Sequence, residues 1–287
     1  MPYDLLISAT QVQALQAAGQ PLLVFDCSFD LTQPEAGWQQ YTQTHIAGAV
    51  YAHLDRDLSA KGAHDAASGG RHPLPSRERF AQWAASAGLN HGMQAVVYDR
   101  QGTNYCGRLW WMLRWAGHKD VAVLDGGLAA WQAAGGAVAS GLPTPRPAGN
   151  FSLGAALVPL VTTAQVQASL GQSSTTVIDA RAPARYRGEV EPLDPVAGHI
   201  PGALNRPFAS NMDADGRFKS AAQLRQEFLA LLDGREPAGV VHHCGSGVSA
   251  VPNVLAMAIA GLGTTGLYAG SWSEWCSDPA RPVARGG

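Results

Sequence analysis

The stretch Val240-Val241-His242-His243-Cys244-Gly245-Ser246-Gly247-Val248-Ser249-Ala250 decides the fold of this chain. An apolar pair leads into it and an apolar run from Val251 to Ile259 follows, which predicts a buried strand, a short loop and a helix. Such a loop turns backbone N–H groups toward one point, in front of the positive end of the helix dipole. A thiol placed there loses its proton more readily, so Cys244, the first residue of the loop, is predicted to be a nucleophile.

The same residues allow two other interpretations of the cysteine. A small buried cysteine beside a glycine turn is common, because free cysteine is among the most buried residue types. A cysteine phosphatase needs an arginine at the end of the loop to hold phosphate, and Ala250 stands there instead. Strand, loop and helix together favour the nucleophile, whose charge the loop amides would stabilise. The residues predicted to bind substrate through this loop are Gly245, Gly247, Val248, Ser249 and Ala250.

The composition is that of a soluble globular protein of two domains. The chain has 287 residues and a net charge of −2 without blocks of like charge, so nothing indicates a nucleic-acid partner. No stretch of about 20 residues is apolar enough to span a membrane, and the first residues lack the pattern of a secretory signal. The cysteines are scattered without metal-type spacing, which suits a reducing cytoplasm.

The two halves of the chain repeat one another. Four segments of the second half, Thr176–Arg181, His199–Leu204, Val240–Cys244 and Leu267–Trp275, follow the order of Pro21–Asp26, His45–Val50, Val96–Asp99 and Leu124–Trp131. Continuous apolar strands separated by helices predict an α/β fold, with a parallel sheet and helices on both faces in each copy. A Pro- and Gly-rich linker lies between the copies, so we predict domains at residues 1–139 and 160–287 with a linker at 140–159.

The loop from Cys244 to Ala250 resembles the active-site loop of the 3-mercaptopyruvate sulfurtransferases, the two-domain branch of the rhodanese family. The duplication extends this resemblance over nearly the whole chain, and it implies tandem rhodanese-like domains. Thiosulfate-using rhodaneses carry basic residues just after the cysteine, where this chain has Gly245 and Ser246. The first copy has Asp99 where the second has Cys244, so it should form no persulfide.

The resemblance also implies a residue that holds the substrate carboxylate. Arg185 matches the arginine of the family's Arg-Tyr motif, although Arg181 and Arg187 are close enough to be alternatives. A planar guanidinium can hold a carboxylate through two parallel hydrogen bonds. Many mercaptopyruvate enzymes have a second arginine further on, where this chain has Asp194. Either the clamp is weaker here or its second cation comes from elsewhere.

Two histidine motifs of the form His-Ile-x-Gly-Ala begin at His45 and His199. The resemblance implies a hydrogen-bonded pair of His45 and Ser246 that would pass a proton to or from the pyruvate enolate. The alternative is that the histidine caps a loop in each copy, which we expect for His199. Glu35 and Asp30 are candidate acidic partners of His45.

Several residues near the cysteine are expected to pack rather than react. Alternation along the strand places His242 and His243 on opposite faces, as strand-end packing residues. Trp272 is expected in the core, with site lining as the alternative. Cys276 is a less favoured candidate for a redox partner of Cys244.

The cysteine loop, the duplication and the resemblance to the rhodanese family together predict a sulfurtransferase. The Cys244 thiolate would take sulfur from 3-mercaptopyruvate and pass it, as a persulfide, to a thiol such as thioredoxin or to cyanide. No metal or organic cofactor is implied. The alternatives are a thiosulfate:cyanide sulfurtransferase, a persulfide carrier that acts on a protein partner, and a non-catalytic interaction module.

Overall fold

The computed structural model describes residues 2–287, which form two compact units. Of the described residues, unit 1 comprises 2–60, Pro75–Leu157 and Ala214–Arg217. Unit 2 comprises Lys61–Leu74, Val158–Asp213 and Phe218–Gly287. Each unit therefore takes in a short piece of chain from the other half of the sequence.

Unit 1 is built on a five-stranded parallel sheet of order β1-β6-β5-β2-β4. Its elements are β1 (Leu6–Ile7), α1 (Ala9–Ala17), β2 (Leu22–Asp26), α2 (Ala36–Gln43), β3 (His45–Ile46), β4 (Val50–Tyr51), α3 (Arg77–Ser86), β5 (Gln94–Tyr98), α4 (Cys106–Trp115), β6 (Val121–Leu124), α5 (Gly127–Ala133) and β7 (Val138–Ala139). The short strands β3 and β7 pair antiparallel beside it. The central strand β5 is buried along its whole length, as its continuous apolar run predicts.

Unit 2 repeats this plan with a four-stranded parallel sheet of order β11-β10-β8-β9. Its elements are α6 (Thr163–Ala168), β8 (Thr176–Asp179), α7 (Pro183–Tyr186), β9 (Leu204–Asn205), α8 (Ala221–Leu232), β10 (Val240–His243), α9 (Val251–Ile259), β11 (Gly266–Leu267) and α10 (Ser271–Trp275). Leu160 forms a parallel bridge with Leu267 at the edge where unit 1 has β1. Tandem parallel sheets flanked by helices confirm the predicted fold class.

The compact units differ from the sequence-based boundaries in three places, one of which is Ala214–Arg217, expected in the second domain but placed in unit 1. Residues 61–74, expected in the first domain, pack in unit 2, where the Gly69 N–H donates to the Glu274 carboxylate at 3.1 Å. The linker after residue 140 packs on unit 1 as far as Leu157, whose N–H donates to the Arg114 carbonyl. Gly70 allows residues 61–74 to pack closely on the turn around Gly270, which also belongs to unit 2. A Cβ on Gly70 would lie 2.5 Å from the Gly270 carbonyl oxygen, so a residue with a side chain would clash there.

The loop after β5 shows what this fold places at the end of its central strand. The Asp99 carboxylate accepts hydrogen bonds of 2.8 to 3.0 Å from four backbone N–H groups, those of Gln101, Thr103, Tyr105 and Cys106. The loop bends through Gly102, with φ of 65°, and α4 follows at once. This loop is therefore an anion-binding cradle that its own aspartate fills.

Candidate active site

The cysteine loop of unit 2 is tied down on both sides of the sulfur. Cys244 is buried, and its N–H donates to Ser271 Oγ at 3.1 Å. The Cys244 carbonyl accepts the Trp272 N–H at 3.0 Å, and the Gly245 carbonyl accepts the Ser273 N–H at 2.9 Å. The turn into α10 thus holds the backbone of the cysteine in place.

The same loop has the shape of the Asp99 loop in unit 1. Gly247 takes a φ of 74°, like Gly102, and a Cβ there would lie 2.1 Å from the Ala269 carbonyl oxygen, so only glycine fits. The amides that correspond to three of the donors to Asp99 are those of Ser246, Val248 and Ala250. Within residues 2–287 these three amides have no protein acceptor. Cys244 stands where the aspartate supplies the anion in unit 1, so these amides are placed to bind a negative charge.

The hydrogen-bond partner of Ser246 is His72. Its Nδ1 lies 2.8 Å from Ser246 Oγ, and both residues are buried. His72 reaches the loop because the segment around it docks on the α10 turn, where the Arg71 N–H donates to Ser273 Oγ at 2.9 Å. A buried serine and histidine in hydrogen-bond contact can exchange a proton with a group bound beside them.

The prediction that His45 pairs with Ser246 is therefore wrong. The His45 ring stacks on Tyr41 with ring centroids 3.9 Å apart, and its Nδ1 lies 2.7 Å from the Tyr41 carbonyl oxygen. His199 makes the same stack and the same contact with Tyr186 in unit 2. A geometry present in both copies, only one of which carries the cysteine, is that of the loop-capping alternative.

Neither acid considered as a partner of His45 contacts it. Glu35 lies 3.5 Å from His53 Nε2. The Asp30 carboxylate accepts hydrogen bonds from Thr32 and Gln33. The stretch that sequence reasoning missed is Gly69-Gly70-Arg71-His72-Pro73-Leu74-Pro75, whose signal is a cation and a histidine side by side between paired glycines and prolines.

The three candidate arginines differ in what they contact. Arg181 is buried and bonded to Asp179, Glu191 and the Gly198 carbonyl, with its guanidinium 4.7 Å from the Trp272 ring centroid. Arg187 pairs with Glu189 at the surface.

Arg185 is the one of these three that faces the cysteine loop, because its Nη1 lies 3.5 Å from the position of a Cβ on Gly245.

A second guanidinium faces the same glycine. Arg71 Nη2 lies 3.0 Å from the position of a Cβ on Gly245. The buried Asp194 carboxylate joins the two arginines: its Oδ1 lies 2.5 Å from Arg71 Nη1 and its Oδ2 lies 3.3 Å from Arg185 Nη2. Burial raises the pKa of Asp194, and the Arg71 charge opposes that shift. The loop itself has no charged side chain, but the guanidinium groups of Arg71 and Arg185 lie close to its first glycine, Gly245.

The remaining residues near the cysteine pack in the core. Burial lowers the pKa of His242 to about 3, and burial also lowers the pKa of His243, where the nearby Asp179 charge opposes the shift. Trp272 is fully buried and donates its Nε1–H to the Val196 carbonyl. Cys276 belongs to the same apolar cluster, and burial raises its pKa.

The cysteines are all free thiols in the part of the chain that the structure describes. Across residues 2–287, no three His, Cys, Asp or Glu side chains are grouped so as to hold a metal ion. None of the helices found there is long and apolar enough to cross a bilayer.

Comparison with known families defines the class of protein. The model of the rhodanese-like domain matches the chain twice, at residues 8–134 and 162–278. The chain therefore belongs to the rhodanese family, in its two-domain form. The two matches fall on the two halves of the repeat, and the second contains the Cys244 loop.

Its relatives include named sulfurtransferases. A probable 3-mercaptopyruvate sulfurtransferase of Pseudomonas aeruginosa is 47% identical over 285 residues, which cover 98% of each chain. A putative thiosulfate sulfurtransferase, SseB of Mycobacterium tuberculosis, is 41% identical over 99% of this chain and 98% of its own. The crystal structure of SseA from Escherichia coli, described as a 3-mercaptopyruvate sulfurtransferase, matches with a TM-score of 0.77 at 30% identity over 94% of this chain and 99% of that one.

Ser271 accepts the Cys244 N–H while its own backbone has a positive φ. Ser271 has a φ of 56°, which favours glycine, and its counterpart in unit 1, Gly127, has a φ of 55°. We expect Ser271→Gly to slow alkylation of Cys244 by iodoacetamide roughly fivefold to tenfold, because the Cys244 N–H loses its acceptor. The free energy of unfolding should change by less than about 1 kcal/mol, since glycine relieves the strained backbone.

Ser271→Ala is the matched control for this prediction. It removes the same hydroxyl but keeps the strain, so its alkylation should be as slow as that of Ser271→Gly while its unfolding free energy falls by about 1 kcal/mol more. Alkylation at the wild-type rate in either variant would show that the hydroxyl does not position the cysteine.

Proposed function

We propose that this protein is a 3-mercaptopyruvate sulfurtransferase. The observation that carries the proposal is the site of unit 2. There a cysteine begins an anion-binding loop, Ser246 of that loop pairs with His72 from another segment, and two guanidinium groups lie close to Gly245. The 47% identity to a probable 3-mercaptopyruvate sulfurtransferase over 98% of the chain supports the same activity.

The first half-reaction transfers sulfur from 3-mercaptopyruvate to Cys244. The Cys244 thiolate attacks the substrate sulfur, so an S–S bond forms and the bond between sulfur and C3 breaks. The electron pair of the broken bond remains on C3, where the neighbouring carbonyl delocalises it as the enolate of pyruvate. A proton delivered to C3 then gives pyruvate, and Cys244 carries the persulfide.

The loop amides and the Ser246–His72 pair have separate tasks in this step. The N–H groups of Ser246, Val248 and Ala250 stabilise the negative charge of the sulfur, as the corresponding amides of unit 1 stabilise the Asp99 carboxylate. Ser246 delivers the proton to C3, and His72 replaces the proton that Ser246 gives up.

In the second half-reaction an acceptor thiolate attacks the outer sulfur of the persulfide and restores the Cys244 thiolate. We propose a thiol such as that of thioredoxin, or cyanide, as the acceptor. The free thiols of the chain suit a reducing compartment such as the cytoplasm. Arg185 takes part by offering Nη1 to the substrate carboxylate.

One observation favours thiosulfate as an alternative donor. The guanidinium groups of Arg71 and Arg185 supply positive charge beside the cysteine, which the neutral loop sequence does not. The SseB relative, at 41% identity, is named a putative thiosulfate sulfurtransferase. Steady-state kinetics with both donors separates the two activities.

We expect kcat/KM for 3-mercaptopyruvate to exceed that for thiosulfate at least tenfold, which corresponds to about 1.4 kcal/mol of transition-state stabilisation. The measurement is pyruvate or thiocyanate formation with cyanide as acceptor. Cys244→Ser serves as the blank and should be inactive with both donors. A preference for thiosulfate would refute the substrate assignment, and equal, weak turnover of both would favour a persulfide carrier.

The two donors also test the role of the Ser246–His72 pair. Ser246→Ala and His72→Asn should each lower kcat with 3-mercaptopyruvate roughly 100-fold, because C3 needs a proton, a contribution typical of general acid–base catalysis. Any turnover with thiosulfate should change little, because its leaving group, sulfite, is a stable anion that departs without being protonated. His45→Asn is the matched control and should retain activity. Equal losses with both donors would assign the pair a structural role instead.

A further inference from the structure

Arg71 lies beside the cysteine although it comes from the first half of the sequence. Its segment, Lys61–Leu74, belongs to unit 2. Its Nη1 is held at 2.5 Å by the Asp194 carboxylate, which is itself buried. Its Nη2 lies 3.0 Å from the position of a Cβ on Gly245, the residue next to Cys244. The guanidinium is thus fixed by one nitrogen and directed at the loop by another.

The remaining edge of this guanidinium has no protein partner. Arg71 Nε is buried and has no hydrogen-bond acceptor among the described residues, and Nη2 donates to no acceptor there either. The N–H groups of Nε and Nη2 point in parallel along one edge of the guanidinium plane, and their spacing matches the two oxygens of a carboxylate. A buried donor left without an acceptor costs free energy, so a ligand that accepts from Arg71 Nε would be stabilised at this edge.

Arg185 lacks that possibility. Its Nε and Nη2 donate to the two oxygens of Glu191 at 3.2 and 2.6 Å, so an internal carboxylate already fills its bidentate edge. Its Nη2 also lies 3.3 Å from Asp194. Nη1 and Nη2 lie 3.5 and 3.6 Å from the position of a Cβ on Gly245, and of these two nitrogens Nη1 alone has no acceptor among the described residues. Arg185 can therefore make one hydrogen bond to a ligand, where Arg71 can make two.

We infer that Arg71 is the residue that binds the substrate carboxylate, through the bidentate edge formed by Nε and Nη2. This inference rests on the proposed function, in which the donor is an α-keto acid with its carboxylate at the end opposite the sulfur. Arg185 Nη1 supplies a second, single hydrogen bond. Asp194 is a positioning residue, because it holds Nη1 of Arg71 and so leaves the other edge turned toward the substrate.

The arrangement also bears on selectivity between donors. The buried acids Asp194 and Glu191 compensate the charges of Arg71 and Arg185, so the pair attracts a dianion less strongly than two unpaired arginines would. What distinguishes a good substrate is then the planar pair of oxygens that satisfies Arg71 Nε. A site built around such hydrogen bonds discriminates against ligands that leave a buried donor unpaired.

The test compares reagents that differ only in a carboxylate. Iodoacetate and iodoacetamide both alkylate Cys244, but only iodoacetate can bind the Arg71 edge. Arg71→Met should lower the rate constant for alkylation by iodoacetate roughly 10-fold, which is the size expected for one lost charged hydrogen-bonding pair. The rate constant for alkylation by iodoacetamide should stay within about twofold of the wild-type value. Its kcat/KM for 3-mercaptopyruvate should fall roughly 30- to 100-fold, mainly through KM. Arg71→Lys keeps the charge without the edge and should fall about 10-fold.

Two further variants act as controls. Arg187→Met removes a surface arginine and should leave both alkylation rates and KM unchanged. Arg71→Met combined with Asp194→Asn removes the buried carboxylate with its cation, so it reproduces the loss even if Arg71→Met alone folds poorly. A similar drop with both alkylating reagents in this double variant, or no drop with iodoacetate in a folded Arg71→Met protein, would overturn the inference.

The alkylation readout requires no sulfur transfer, so it separates this inference from the proposed function. A selective fall of the iodoacetate rate in Arg71→Met, in an enzyme whose wild type uses thiosulfate better, would support the carboxylate site and refute only the donor. An unchanged iodoacetate rate in Arg71→Met, in an enzyme that uses 3-mercaptopyruvate, would refute the Arg71 site and keep the donor.

Discussion

Backbone N–H groups that converge at the end of a central parallel strand need a negative charge, and both halves of this protein are organised around that requirement. In unit 1 the Asp99 carboxylate takes four of these hydrogen bonds, and the loop is complete without a ligand. In unit 2 the loop has the same bend, but Cys244 stands in place of the aspartate. One copy of the fold thus fills its amides with its own Asp99 side chain, while the other presents the Cys244 thiol to the corresponding amides.

The positive charges near Cys244 belong to side chains from other segments of the chain and not to residues of the loop. A basic side chain at position 245 would meet Arg71, since even a Cβ there lies 3.0 Å from its Nη2. The neutral loop sequence and the two guanidinium groups above it are therefore parts of one arrangement. Three buried acids, Asp179, Glu191 and Asp194, pair with Arg181, Arg185 and Arg71, so each cation is fixed in direction as well as in place. Fixed donors lose little entropy when a substrate binds.

Much of the fold could be read from the sequence, because the signals were local. Continuous apolar strands, the repeated segments and the helix over Val251–Ile259 all lie where the pattern predicts them. The position of Cys244 at the head of its loop follows from the same pattern. Such features depend on residues close together in the chain, and elementary propensities describe them well.

The rest of the site depends on contacts between distant segments. His72 lies 174 residues before Ser246, and nothing local shows that its segment packs in unit 2. The motif around His45 gave a wrong prediction of the partner of Ser246. The motif occurs in both halves, and in each its histidine stacks on a tyrosine. Arg185 matches the family motif, but the motif does not reveal that Glu191 occupies the bidentate edge of its guanidinium in the folded chain.

The most direct measurement of the central claim is the mass of the protein after one turnover without an acceptor. The protein is mixed with 3-mercaptopyruvate and digested under conditions that block free thiols. The mass of each cysteine-containing peptide is then measured by mass spectrometry. We predict one added sulfur atom on the peptide that contains Cys244, released as soon as a thiol or cyanide is supplied, and none on the peptides of Cys27, Cys106 and Cys276. Added sulfur on another cysteine, or pyruvate formed without any sulfur on Cys244, would contradict the claim that this loop holds the reacting sulfur.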